Sequence, residues 1–177
     1  MSEPFTQAEI VAALGQTQEE VGAYFAGLAP GQFMHGNAET WSPAHHLHHL
    51  IVSNAPVGRA LGLPRDRLPA RIATQPSRSY PEMQALYRGA LATGVKASGR
   101  FLPDPQGNQA ELVAGYRQTL DALRVQVQGW NDADLDAYTL AHPALGLLSV
   151  REMLLFTLYH NAHHRVGVQN RTQMENA

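Results

Sequence analysis

Four histidines lie within five positions of the segment WSPAHHLHHLIVSN, residues 41–54, and a second histidine group lies in LYHNAHHRVGVQ, residues 158–169. The chain has nine histidines and no cysteine. A transition metal would therefore have to be held by imidazole, carboxylate or water, and imidazole suits zinc, nickel, iron, copper or cobalt. Two such groups in distant parts of the chain predict one metal site built from both.

The C-terminal group has the clearer geometry. His160 and His164 are four residues apart, so on a helix they lie on one face with Cβ atoms about 6 Å apart, within reach of a single ion. Met153 and Phe156 come earlier on the same side, which predicts that the pair points toward the interior. His163 falls one residue off this face.

The N-terminal group allows more than one choice. His45 and His49 also form a pair four residues apart, and His46 and His48 fall to either side, so spacing alone leaves open which of them faces inward. One histidine from this group and two from the other would leave an ion open to water or substrate, as in catalytic sites. The alternative is a set of hydrogen-bonded core histidines or a histidine-rich surface.

Other chemistries lack their motifs. Asn161 follows His160, so the HExxH zinc-protease pattern is absent, and no G-x-S-x-G, P-loop or G-x-G-x-x-G sequence occurs. With 13 basic and 15 acidic residues the net charge is −2, which does not favour nucleic-acid binding. No window reaches the ~18 apolar residues of a membrane span, and no signal-peptide pattern begins the chain. We expect a cytoplasmic protein with a small-molecule partner.

Capping signals and helical apolar spacing predict the elements that position these residues. Each predicted helix begins at a Ser or Thr cap, with Glu three positions later or Pro at the first helical position, or directly after a Pro- and Gly-rich break. Pro56 predicts a kink or early end in the second helix. No alternating strand pattern occurs, so an all-α bundle in one domain, 1–177, is expected. The predicted helices are 7–28, 43–62, 81–99, 108–129 and 149–169.

Two motifs resemble a known family. WSPAHHLHHL resembles the W-S-x-x-x-x-L-x-H-L signature of the DinB and YfiT-like superfamily, and HPALGLLSVREMLLFTLYHNAHH is similar to its H-P-x-x-G-x-L-(S/T)-x-x-E-x-L-x-x-x-x-x-H-x-x-x-H ending. The resemblance spans most of the chain. It implies a DinB-like four-helix bundle, often dimeric, that binds one divalent metal through three histidines, with helix 81–99 as an addition in the long connection between the second and third bundle helices.

Carried over by position, the resemblance implies which histidines are the ligands: His49, His160 and His164. Trp41 and Leu47 match positions that look structural. Two positions depart from the family pattern, since Asn54 stands where members often carry an acidic residue and Gly167 stands where many carry glutamine. A partner that orients a ligand imidazole is therefore expected to differ. The residues expected to line the pocket are His45, His46, Asn54, His142 and Arg165.

The resemblance also implies an activity. Family members include S-transferases that conjugate low-molecular-weight thiols such as bacillithiol, mycothiol or glutathione to electrophiles. An open metal position can bind and deprotonate a thiol, so we expect thiol transfer with zinc or nickel, or with iron, manganese or cobalt. The alternatives are a hydrolase that uses metal-activated water and a non-catalytic metal-binding stress protein. The arginine-rich loop 65–78 is a weak candidate for holding a carboxylate of the cosubstrate.

Overall fold

A computed structural model describes residues 4–36, 40–72 and 74–175. These residues form helices joined by loops, two short 3₁₀ turns and one antiparallel hairpin. The helices are α1 Gln7–Ala26, α2 Pro30–Met34, α3 Pro43–Leu61, α4 Tyr80–Ala92, α5 Gln109–Gln128, α6 Asp132–Ala137 and α7 Val150–Glu175, and the strands are β1 Thr139–His142 and β2 Gly146–Ser149.

The predicted capping signals are confirmed. Thr6 and Glu9 form a reciprocal capping box at α1, and the hydroxyl of Ser42 accepts the backbone N–H of His45 at the start of α3. At α7 the backbone N–H of Ser149 donates to the Glu152 carboxylate, and the backbone N–H of Glu152 donates to the Ser149 hydroxyl. Because these bonds are local, the beginnings of the helices follow directly from the sequence.

The four long helices α1, α3, α5 and α7 form the bundle. Helix α5 packs against α1 and α3, and α7 packs against α1, α3 and the additional helix α4. Apolar side chains from all four are fully buried between them, including Phe25, Leu47, Leu123 and Leu154. Each such side chain contributes about 1.5–3 kcal/mol of hydrophobic stabilisation. The predicted DinB-like four-helix bundle with an additional helix is confirmed, while the assignment of all 177 residues to one domain stays a prediction.

The predicted end of the third helix is wrong. The helix predicted over 81–99 ends at Ala92, because Gly94 adopts a φ of +86°, a left-handed conformation that a helix does not continue through. The chain then forms a 3₁₀ turn at Gly99–Phe101, which packs against α3. Helix α3 continues past Pro56 to Leu61, which agrees with the predicted range 43–62, so the early end that Pro56 allowed does not occur.

The hairpin corrects the expectation that the fold has no strands. Strands β1 and β2 pair antiparallel, with Thr139 opposite Ser149 and His142 opposite Gly146. Gly146 has a φ of +75°, which a glycine at this turn allows without steric cost. The hairpin leads directly into α7 and packs against it. Among the described residues, no helix combines the length and the apolar character needed to cross a lipid bilayer.

Candidate metal centre

Three imidazoles from two helices converge inside the bundle. Nε2 of His49 on α3 lies 3.2 Å from Nε2 of His160 on α7, and Nε2 of His164, one turn later, lies 3.0 Å from the same atom. One ring nitrogen from each residue lies within 4.8 Å of the other two, and all three side chains are buried. Nitrogens bound to one zinc ion at about 2.0–2.1 Å lie roughly 3 Å apart, so this group can hold a single divalent cation.

The tautomer of His49 is set by the loop after α4. Nδ1 of His49 lies 2.7 Å from the backbone carbonyl oxygen of Phe101. A carbonyl oxygen only accepts, so Nδ1 carries the hydrogen and Nε2 presents its lone pair to the other two histidines. This is the usual way in which an outer contact orients a metal-ligating imidazole.

His160 is held by packing instead. Its ring stacks on Phe156, with centroids 5.1 Å apart, and lies edge-on to Tyr87. Nδ1 of His160 is buried and has no hydrogen-bond partner within the described part of the chain. Burying Nδ1 without a hydrogen-bond partner costs free energy. A cation bound at Nε2, which faces the other two histidines, would offset that cost.

His164 is linked to a second histidine and an arginine. Arg171 donates to Nε2 of His46 at 2.9 Å, and Nδ1 of His46 lies 2.8 Å from Nδ1 of His164. Because Arg171 only donates, His46 carries its hydrogen on Nδ1 and donates it to His164. In this arrangement Nε2 of His164 bears a hydrogen. Binding a cation through that atom therefore requires His164 and His46 to change tautomer together.

The protonation states of the three histidines suit a cation. Burial, with further effects from neighbouring imidazoles, lowers the pKa of His160 and His164 well below the ordinary value. Burial also lowers the pKa of His49, although the hydrogen bond to Phe101 acts in the opposite direction. At neutral pH all three are uncharged, and the neutral imidazole is the form that binds metals.

Comparison with known proteins places this arrangement in a family. The family model described as the DinB superfamily matches residues 13–166. The chain belongs to the DinB superfamily. No curated protein matches it significantly.

Two solved structures resemble this DinB protein in fold. The four-helix bundle protein TT2238 has a TM-score of 0.59 and 18% identity, with 93% of this chain and 99% of that chain covered. An uncharacterised protein from Clostridium difficile 630 has a TM-score of 0.61 and 14% identity, with 95% and 96% covered. At these identities the likeness concerns the fold alone.

The three histidines of this DinB protein line a cleft of about 1040 Å³. Apolar side chains form much of its wall, among them Val57, Leu91, Leu140 and Met153. Among the described residues, the charged side chains that line the cleft are Lys96, Arg100 and Arg171, all of them basic. A small molecule with an apolar part and an anionic group complements such a surface.

Two of the expected pocket residues line the cleft and three lie elsewhere. His46 and His142 belong to its wall. Nδ1 of His45 lies 2.7 Å from the Ser42 hydroxyl oxygen at the start of α3. On α7, Arg165 donates to the side chain of Gln169, one turn further along the helix. Both contacts are local to one helix, and neither residue lines the cleft.

Asn54, the third, is not part of the cleft wall and pairs instead with a residue of α7. It is buried, and its side-chain amide exchanges two hydrogen bonds with the amide of Asn161, of 3.1 and 3.2 Å. Asn161 also accepts from the hydroxyl of Tyr116. The pair joins α3 to α7 next to His160. Asn54 stands at the position where the family pattern predicts an acidic residue. Its buried partner, Asn161, is neutral.

The remaining histidines and Trp41 differ in their proximity to the site. Nδ1 of His48 accepts the backbone N–H of Asp104, outside the cleft. His163 lies in the cleft wall with its ring edge-on to Tyr87. The indole of Trp41 also lines the cleft, with its ring centroid 5.1 Å from that of His49.

The arginine-rich loop does not reach the cleft. Arg65 stacks on Trp130, 3.4 Å from the ring centroid, and Arg78 pairs with buried Glu152 at 3.0 Å. Neither these two nor the other arginines of loop 65–78 are among the cleft-lining residues. The basic groups at the cleft are instead Lys96, Arg100 and Arg171, which no sequence motif had singled out.

Tyr87 is a further cleft residue that the sequence analysis missed. It lies on α4, and its buried ring is edge-on to those of Phe156, Tyr159 and His160. Burial raises its pKa to about 12, so its hydroxyl stays protonated at neutral pH. Its position one helical turn after buried Met83 was the available signal.

Proposed function

We propose that this DinB protein transfers a low-molecular-weight thiol to an electrophile at a divalent metal held by His49, His160 and His164. The observation that carries the proposal is the convergence of three buried, neutral imidazoles on the wall of a cleft. A divalent ion with an open position would bind the thiol and favour its thiolate at neutral pH. Zinc or nickel is the metal that we expect; imidazole also binds iron and cobalt, and elemental analysis of the purified protein distinguishes them.

The charges of the cleft support an anionic thiol cosubstrate. Lys96 and Arg100 come from the segment after α4, and Arg171 comes from α7. Guanidinium and ammonium groups bind carboxylates and phosphates. We infer that the thiol carries such a group, as a bacillithiol-like thiol does. The apolar wall would then receive the electrophile.

The same surface favours transfer over hydrolysis. Among the described residues that line the cleft there is no Asp or Glu, so no carboxylate stands ready to accept a proton from an attacking water. A thiol needs less help, since its pKa is already close to neutral before an ion lowers it further. A metal-dependent hydrolase is therefore the second candidate.

A conjugation assay tests the proposal. Protein purified without a histidine tag is loaded with Zn²⁺ or Ni²⁺ and given monobromobimane with bacillithiol, mycothiol or glutathione. We expect conjugation above the uncatalysed rate with at least one thiol, its loss with a chelator and its return when the metal is restored. Cleavage of an ester or amide without thiol would replace transfer by hydrolysis. A fully metallated protein inactive in both assays would leave metal binding alone.

A homodimer and a cytoplasmic location also stay predictions. Size-exclusion chromatography with light scattering tests the first, since a dimer doubles the measured mass. Neither prediction enters the mechanism, because all three imidazoles of the site come from one chain.

A further inference from the structure

His142 lines the cleft, and its ring is held in a single tautomer. It is the last residue of β1, and its Nδ1 atom receives the backbone N–H groups of Ala144 and Leu145 at 3.2 and 3.1 Å. Both groups can only donate, so Nδ1 must be an acceptor. The hydrogen of the neutral imidazole is therefore on Nε2.

The ring of His142 is also neutral and held in place. It packs against Phe156 with centroids 4.4 Å apart, and Phe156 in turn stacks on His160. Burial lowers the pKa of His142 to about 4, so the ring is uncharged at neutral pH. Phe156 therefore contacts both His142 and His160, one of the three histidines of the metal centre.

The Nε2–H group of His142 has no hydrogen-bond acceptor among the described residues, although its ring lines the cleft. The charged groups that line the same cleft, Lys96, Arg100 and Arg171, are donors themselves. A donor that the protein leaves without an acceptor, at the edge of a ligand-sized cleft, is available to a bound molecule.

We propose that His142 donates its Nε2–H to the carbonyl oxygen of the electrophile, and that the electrophiles are conjugated carbonyl compounds. This inference rests on the proposed thiol transfer. A neutral donor suits an oxygen that is uncharged in the substrate and gains negative charge during the reaction. An alkyl halide, whose leaving group departs as halide, has no such oxygen at its reacting carbon.

The reaction balances without a further reagent. The thiol loses its proton to solvent, and the thiolate sulfur forms a bond to the β-carbon of the conjugated carbonyl compound. The π electrons of the C=C bond shift toward the carbonyl, whose oxygen becomes an enolate oxygen hydrogen-bonded to Nε2–H of His142. The α-carbon then takes a proton from solvent, which gives the saturated thioether. His142 keeps its hydrogen throughout.

Two substitutions separate the donor from the turn that it supports. His142→Asn keeps an acceptor for the N–H groups of Ala144 and Leu145, but its amide N–H groups lie near the position of the ring Cδ2 and do not reach that of Nε2. His142→Gln keeps a donor near the position of Nε2. With 2-cyclohexen-1-one as electrophile we expect His142→Asn to lower kcat/KM about 10- to 100-fold and His142→Gln to restore part of it. The ratio of the 2-cyclohexen-1-one rate to the monobromobimane rate should fall at least about tenfold in His142→Asn.

A second readout does not depend on turnover. In the zinc-loaded protein labelled with ¹⁵N-histidine, long-range ¹H–¹⁵N spectra at pH 7 should show His142 as the Nε2–H tautomer. Addition of 2-cyclohexen-1-one should shift that Nε2–H resonance in the parent protein and leave the resonance of exposed His35 unchanged.

The outcomes separate the inference from the function on which it rests. Transfer to monobromobimane, combined with an unchanged rate ratio in His142→Asn or an unshifted Nε2–H resonance, overturns the role of His142 and leaves thiol transfer standing. Transfer to neither electrophile overturns the proposed function and the inference with it. A selective loss with 2-cyclohexen-1-one, partial rescue by His142→Gln and the shifted resonance together support the inference.

Discussion

Nδ1 of His49 lies 2.7 Å from the backbone carbonyl oxygen of Phe101, which comes from the loop between α4 and α5. This contact turns the lone pair of His49 Nε2 toward His160 and His164. A loop outside the four-helix bundle therefore orients a side chain inside it. The metal centre depends on α3, α7 and this loop together.

Removal of a converging imidazole should abolish metal binding. We expect His49→Ala, His160→Ala and His164→Ala each to lower the metal content by about tenfold or more, because two nitrogens remain where three are needed. The matched controls are His163→Ala and His48→Ala, which should keep near-parental metal content. Elemental analysis of dialysed protein measures this. Equal losses in His164→Ala and both controls would contradict the assignment.

The hydrogen bond between His49 and Phe101 should depend on the conformation of the 3₁₀ turn that contains Phe101. Gly99 begins the 3₁₀ turn with a φ of +55°, and alanine there costs about 1–2 kcal/mol in this conformation. We expect Gly99→Ala to shift the Phe101 carbonyl and weaken zinc binding about tenfold. Gly146→Ala, with a φ of +75° in the hairpin, is the matched control. Equal zinc affinities in the two variants, measured by chelator competition, would show that the turn does not orient His49.

Arg171 should oppose metal binding. It donates to Nε2 of His46 and so favours the tautomer in which Nε2 of His164 bears a hydrogen. Its positive charge also lies in the wall of the cleft that the three histidines line. We expect Arg171→Leu to raise zinc affinity about 3- to 10-fold, or about 1 kcal/mol.

Arg165→Leu removes one charge from the same helix without touching His46, and it should change zinc affinity less. Chelator competition again provides the affinities. A lower affinity in Arg171→Leu than in Arg165→Leu would mean that Arg171 supports the metal-bound form instead.

The neutral ring of His142 should make stability depend on pH. Its pKa is about 4 in the folded protein and about 6.5 in the unfolded chain, so the unfolded chain takes up a proton first as pH falls. The contribution to stability is therefore complete above about pH 6.5 and is lost between about pH 6.5 and 4. In His142→Asn, the fall in unfolding free energy from pH 7 to 4 should be smaller by about 1–2 kcal/mol, allowing for solvent screening.

Urea denaturation of the metal-free protein measures this difference. The metal is removed beforehand because protonation of the three converging histidines would otherwise release the ion in the same pH range and change the stability as well. Parallel pH profiles for the parent protein and His142→Asn would show that His142 is not held neutral by the fold.

Local signals predicted most of the fold. The caps at Thr6, Ser42, Ser79 and Ser149 depend on bonds within one helical turn, so they are visible in the sequence. The end of α4 was missed, since Val95 continues the apolar pattern and only the backbone conformation of Gly94 stops the helix. The hairpin was missed because its strands of four residues are too short for an alternating pattern to stand out.

The metal site likewise combines residues that local spacing predicts with residues that it leaves open. The pair His160 and His164 follows from helical spacing, but spacing left four candidates on α3. The choice of His49 came from the family resemblance, and the structure adds the long-range contact with Phe101. Asn54 shows the same limit, because its partner Asn161 lies 107 residues away. No local pattern distinguishes a buried amide pair from a polar residue that lines a pocket.

X-ray absorption at the zinc edge, recorded on the zinc-loaded protein before and after addition of a thiol cosubstrate, tests the metal centre directly. We predict three imidazole nitrogens at about 2.0–2.1 Å, and a new sulfur at about 2.3 Å once the thiol is added. Because the chain has no cysteine, that sulfur would identify the bound thiol. A zinc shell without three imidazoles, or one that gains no sulfur from any of the thiols, would contradict the account.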